Sequence, residues 1–138
     1  MDTMVFINLP VTDLDRSKAF YEALGYSINP AFTDETAACV VISDTISLMI
    51  LTRPKFAEFT DKAIADVGTI EVINSLGVAS KDEVHRLADA AVAAGATEDR
   101  EPVDLGFMFQ RAFDDPDGHR WELVWMDPQA AQDGPPAE

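Results

Sequence analysis

Glu122 stands in the run DPDGHRWEL, residues 115–123, where a carboxylate follows a tight turn into an otherwise apolar strand. The turn is written in residue types. Pro116 fixes its own φ, the aspartates accept from nearby backbone N–H groups, and Gly118 takes the φ > 0 position. Beyond the turn, Trp121, Leu123 and Trp125 alternate with Glu122, Val124 and Met126, a period-two pattern that is apolar on both faces. An ionised carboxylate on an interior or concave face is costly unless a cation, a metal or several donors meet it. Three chemistries are open to Glu122: metal ligand, general base, or a strand-end acid paired with an arginine. Arg111, in GFMFQRAF, is the arginine that a neighbouring strand could bring to it if register allows.

Two similar successions of elements must position these residues. Val5 to Val11 reads as a strand, Asp13 as the N-cap of a helix carrying Leu14, Phe20, Tyr21 and Leu24, and Gly25 as its end. Tyr26 to Phe32, Ala37 to Ser43 and Ile46 to Thr52 follow as strands separated by the polar breaks DET and SDT. Arg53 to Ala65 reads as a polar linker with a helical turn begun by Pro54. The pattern then returns. Glu71 to Ala79 is a strand, Ser80 with Glu83 a capping box, and the helix runs to about Ala94 before Gly95. Thr97 to Val103, Gly106 to Phe113 and Arg120 to Met126 complete a second set of three strands. A displacement of 67 residues superposes Leu9 on Leu76, Val11 on Val78, Asp13 on Ser80 and Phe20 on Leu87. The organisation is βαβββ twice, over residues 4–52 and 69–127, and the polar, Pro-rich residues 128–138 read as a disordered tail.

Composition removes several classes of function. With 25 acids against 10 bases the net charge is −15, which repels nucleic-acid phosphates and anionic membranes. No apolar run reaches the roughly 20 residues of a membrane span, and the first residues lack a signal peptide's basic flank and apolar core, so a cytoplasmic location is expected. The single cysteine, Cys39, lies in the apolar run AACVVIS and reads as a buried thiol; it excludes an intrachain disulfide or a thiolate cluster. His85 reads as a solvated residue on the polar face of the second helix, and His119 as an exposed turn residue. No P-loop, GxGxxG, GxSxG or CxxC motif occurs.

FINLPVTDLDRSKAFYEALGYS near the start and FDDPDGHRWELVWMDP near the end together resemble the glyoxalase, bleomycin-resistance and extradiol-dioxygenase (vicinal oxygen chelate) superfamily, over residues 4–127. The resemblance implies an α+β fold in which two βαβββ modules of one domain, residues 1–127, form curved mixed sheets around an open cavity, usually in a homodimer. It also implies metal ligands on the inner strand faces of metal-dependent members. The histidine positions of those members correspond to Phe6 and Ile73, and the glutamate of the last strand to Glu122; the fourth strand offers only Ser47 as a polar side chain. One carboxylate cannot hold a catalytic divalent ion, which normally has three protein ligands.

Alternation in the phase that the resemblance requires would put Phe6 and Asn8, Ile73 and Ser75, and Glu122, Val124 and Met126 on the cavity side, an apolar surface with few polar groups that suits an organic ligand. The expected function is metal-free binding of a small organic molecule, a cationic one being drawn by the charge, by Phe6, Asn8, Ile73, Ser75, Arg111 and Glu122. No cofactor or nucleic-acid partner is expected. The alternative is an enzyme, like lactoylglutathione lyase, an isomerase or a dioxygenase, with Glu122 as general base or as ligand to Zn, Ni, Mn or Fe. A third reading is an interaction module with an unused cavity.

Overall fold

The computed structural model describes residues 2–136. The chain divides into two compact units, Met1–Thr69 and Ile70–Glu138. The first contains β1 (Val5–Val11), α1 (Leu14–Ala23), β2 (Ser27–Asn29), β3 (Ala37–Val41), β4 (Ile46–Thr52) and α2 (Arg53–Phe56). Its sheet has the order β1-β4-β3-β2, with β1 parallel to β4 and the other pairs antiparallel. Asp13 starts α1 by accepting from the Arg16 backbone N–H at 3.0 Å, and Gly25, at φ 101°, lets the chain turn away after it. The core of this unit is built by alternation: Leu9 lies opposite Ile50, Ala38 is also paired with Ile50, and Val40 with Leu48. These residues are buried with Phe20, Tyr21 and Leu24 of the α1 region.

The second unit repeats the plan with β5 (Asn74–Gly77), α3 (Lys81–Ala93), β6 (Val103–Asp104), β7 (Met108–Asp114), β8 (Arg120–Met126) and α4 (Pro128–Asp133). Its strand order is β5-β8-β7-β6, again with the first and last strands parallel, and neither sheet closes on itself. Ser80 accepts from the Glu83 N–H at 3.1 Å, but the Glu83 carboxylate turns to Arg86, so only the forward half of the expected capping box forms. The terminal glycines, Gly25 and Gly95, are 70 residues apart rather than 67, because α3 has 13 residues where α1 has 10. Val84, Leu87, Ala88 and Ala91 form the buried stripe of α3 against β7 and β8.

The strands are shorter than the sequence pattern suggests where polar side chains capture the backbone. The expected strand from Tyr26 to Phe32 stops at Asn29, whose side chain accepts from the Ala31 N–H as Pro30 starts a 3-10 turn through Phe32. The strand expected from Glu71 to Ala79 forms over Asn74–Gly77, with one further backbone bond from the Val78 N–H to the Val124 carbonyl at 2.9 Å. Of the strand expected over Thr97 to Val103, Thr97 makes one bridge with Asp114, and the ladder resumes at Val103. Between them Arg120 takes Asp99 at 3.0 Å, and Pro102 has no N–H to give a ladder. That ion pair holds the Asp99 carboxyl below its ordinary range. The expected disordered tail is also corrected: Asp127 accepts from the Gln129 N–H at 2.8 Å, Pro128 occupies the first turn, and Ala130 is buried. Cap chemistry outweighs polar composition over these six residues, whereas residues 137–138 of that expectation lie outside the described chain.

Candidate functional site: a carboxylate held by neutral donors

The turn before β8 sets the phase of everything that follows. Asp115, 5% exposed, receives the N–H groups of Asp117 and His119 on one carboxylate oxygen, each at 2.9 Å, while Gly118 adopts φ 87°. The resulting hairpin register pairs Asp114 with Arg120, Ala112 with Glu122 and Gln110 with Val124. On the other side of β8, Ser75 of β5 lies opposite Glu122 and Gly77 opposite Val124.

Contacts with α3 define the two faces of this sheet. Arg111 meets Asp89 and His85 of α3 at 2.9 and 3.0 Å, and the Phe109 and Trp125 rings lie beneath Lys81. Odd-numbered positions of β7 and β8 therefore face the helix, and Gln110, Ala112, Glu122 and Val124 face away from it. On that second face the Ser75 hydroxyl donates to Glu122 Oε1 at 2.7 Å, and the Gln110 amide donates from Nε2 to Oε2 at 3.0 Å. Both carboxylate oxygens are thus held, each by an uncharged donor. Among the described residues no lysine, arginine or histidine lies within ion-pair distance of Glu122.

The expected Arg111–Glu122 pair does not form. Arg111 lies opposite Leu123, so alternation sends its guanidinium to the helix face. There it forms a two-pronged bond to Glu98, 2.8 Å on each side, which with Asp89 raises its already high pKa further against the cost of burial. His85 is exposed, as its place on the polar face suggests, yet its Nδ1 lies against Arg111 and its ring against Phe109. His119 is half-buried in the turn. Cys39 is buried and free.

The other residues expected at the site are distributed as follows. Ile73, 52% exposed, precedes the paired part of β5. Phe6 and Asn8 are on β1 of the first unit; Phe6 is 52% exposed, and the Asn8 amide donates to the Phe6 carbonyl at 3.2 Å. Gln110 was not anticipated. Counting back by twos along β7 from the residue opposite Glu122 would have found it, but that count requires the hairpin register.

The donor set near Glu122 does not fit the divalent ion that the resemblance implies for metal-dependent relatives. One carboxylate, one hydroxyl and one amide supply a single anionic ligand and no imidazole, and both neutral groups already spend a proton on the carboxylate. Among the described residues no three His, Cys, Asp or Glu side chains are grouped as metal ligands. A separate cleft of about 430 Å³ lies in the second unit beside α4, bounded by Phe107, Asp127, Gln129, Ala130, Asp133 and Pro135. Its two aspartates are occupied by the Gln129 backbone and side chain.

Two like modules, each a helix on a four-stranded mixed sheet, define the architecture of glyoxalase and bleomycin-resistance proteins. The family model described as bleomycin resistance protein-like N-terminal matches residues 3–43. Hypothetical protein SA1046 from S. aureus is 28% identical with a TM-score of 0.76, over 91% of this chain and 95% of its own. A glyoxalase-related enzyme from Fulvimarina pelagi gives 24% identity and a TM-score of 0.75, over 91% of this chain and 88% of its own. A bleomycin resistance determinant encoded on transposon Tn5 gives 22% and 0.64, over 91% and 99%. No functionally curated protein matches the sequence. Residues 3–43 thus resemble the N-terminal part of bleomycin-resistance-like proteins, and the chain shares the fold of solved glyoxalase and bleomycin-resistance proteins. Among the described residues no helix is long and apolar enough to cross a membrane.

Proposed function

We propose that the protein binds a small organic molecule through Glu122 and does so without the divalent metal centre of its metal-dependent relatives. One observation carries the reading: a carboxylate fixed by Ser75 and Gln110, with no cation of the described chain to neutralise it. Glu98 is neutralised by Arg111, whereas Glu122 is met by two neutral donors and by no base of the described chain. Glu122 instead keeps its charge for a group that arrives from outside, and the net charge of −15 favours a cationic one. A second copy of the chain is part of the reading. The exposed Val5 and Phe6 correspond, after the 67-residue displacement, to the exposed Val72 and Ile73. Such a repeated apolar pair beside an edge strand is a surface that association would cover.

Metal content after exposure to Ni, Zn, Mn and ferrous iron, followed by dialysis, tests the first part. The expected result is no stoichiometric ion in either the native protein or Glu122→Gln. Near one ion per chain, lost in the variant, overturns it. Sedimentation tests the second part: a dimer that Phe6→Lys disrupts is expected, and a monomeric native protein refutes it.

A further inference from the structure

We infer that the group recognised by Glu122 is a planar, two-pronged cation, an amidinium or guanidinium, carried on a flat apolar body that lies over Gly77 and Val124. The inference rests on the binding reading above and names its ligand class. A carboxylate offers about four lone-pair directions, two on each oxygen. Ser75 takes one on Oε1 and Gln110 takes one on Oε2. What remains is one acceptor direction per oxygen, and both oxygens are kept from rotating by bonds to different strands, β5 and β7. A group with two parallel N–H donors engages both acceptors at once, whereas an ammonium is a point charge with diverging donors.

The surroundings set the rest of the ligand. Along this face, Val124 follows Glu122 on β8, and Gly77 lies opposite Val124 on β5. A Cβ placed on Gly77 would meet nothing within 4 Å, so the surface beside the carboxylate is open at that position. Met108 and Met126 face each other further along, both half-buried, and Ala112 lies opposite Glu122. A ligand whose charged end meets Glu122 thus runs onto small and apolar side chains, with room above Gly77 for a ring. Thioether and aliphatic surface can cover a flat apolar body but offers it no hydrogen bond. The cationic end carries the polar recognition.

The test titrates the full chain with benzamidine, benzylamine and benzamide, which share a ring and differ only in the head group, and follows the Gln110 side-chain amide by NMR with affinities from calorimetry. Benzamidine is expected to bind at least about tenfold more tightly than benzylamine, and benzamide not to bind. Glu122→Gln should abolish the benzamidine response. Gly77→Leu, which leaves every donor in place, should weaken it about tenfold by filling the open space, with the circular dichroism spectrum unchanged. Equal binding of benzylamine and benzamidine overturns the two-pronged assignment while leaving a cationic ligand standing. Undiminished binding to Gly77→Leu overturns the placement of the body. Silence from all three probes overturns the ligand class, whereas a retained metal ion in the assay above overturns the reading on which it rests.

Discussion

The two sheets share strand order, parallel first and last strands and a capped helix, yet the same register position holds Met49 in one and Glu122 in the other. Met49 lies opposite Asn8 on β1, and Glu122 lies opposite Ser75 on β5, positions related by the 67-residue displacement. The helix-side partners are alike in kind: Leu9 with Ile50, Leu76 with Leu123. The helix side of each sheet is therefore apolar in both modules, while the other side differs between them. Asn8 turned to its own strand's carbonyl, whereas Ser75 turned across to an acid that Gln110 also holds. The scaffold is common to both modules and the polar site belongs to one.

That separation predicts its largest effect on the shared side. Ile50→Ala and Leu123→Ala remove side chains that are 0% and 1% exposed, each at the same place in its module. Each should cost about 2–5 kcal/mol, measured as a shift in urea midpoint at constant slope. A loss in one module several times that in the other would break the equivalence of the two cores. The hairpins preceding the last strands should differ more. Asp115 is buried and holds two N–H groups at 2.9 Å, while the exposed Ser43 holds those of Thr45 and Ile46 at 3.3 and 3.1 Å. Asp115→Ala should cost about 1.5–3 kcal/mol and Ser43→Ala under about 1, by the same measurement. Equal losses would mean that the acidic turn adds nothing beyond a polar one.

The elements legible in the sequence are those written by local chemistry. β1, β4 and β8 fall where alternation places them, and Asp13 and Ser80 cap where their types require. Strand ends were less legible, since Asn29 and Pro102 act on backbone hydrogen bonding rather than on hydrophobic period. Of the candidate site, Glu122 is singled out by the strand pattern, and its neighbour Ser75 by the alternation that the family resemblance requires. Gln110 and the true place of Arg111 were not legible. Both depend on the register between β7 and β8, which the Asp115 turn fixes, and a shift of one residue would exchange their faces.

Exchanging the divergent residues sharpens the comparison further. Met49→Glu would put a carboxylate in the first sheet beside Cys39 and opposite Asn8, where the buried Ala37, Cys39 and Leu51 supply no side-chain donor of comparable strength. A half-buried acid without its pair of donors should cost about 1–3 kcal/mol. If denaturation shows no loss, Asn8 has left the Phe6 carbonyl to meet the new acid, and the first sheet can build the same site.

The reverse exchange is expected to have the smallest effect on stability and the most specific one on binding. Glu122→Met removes the acid and leaves Ser75, which is exposed, free to donate to water, and Gln110 half-buried with the same recourse. The change also removes a charge from a chain that already carries −15, easing repulsion within the folded state. Losing two hydrogen bonds to a charged group and gaining apolar cover oppose each other, so the net change should lie within about 1 kcal/mol. Denaturation of Glu122→Met read beside benzamidine titration separates the two roles. Stability kept with binding lost assigns Glu122 to the ligand. A loss of stability as large as that of Asp115→Ala would instead make Glu122 part of the sheet's own cohesion, and Met49 and Glu122 would then be two solutions to the same packing problem.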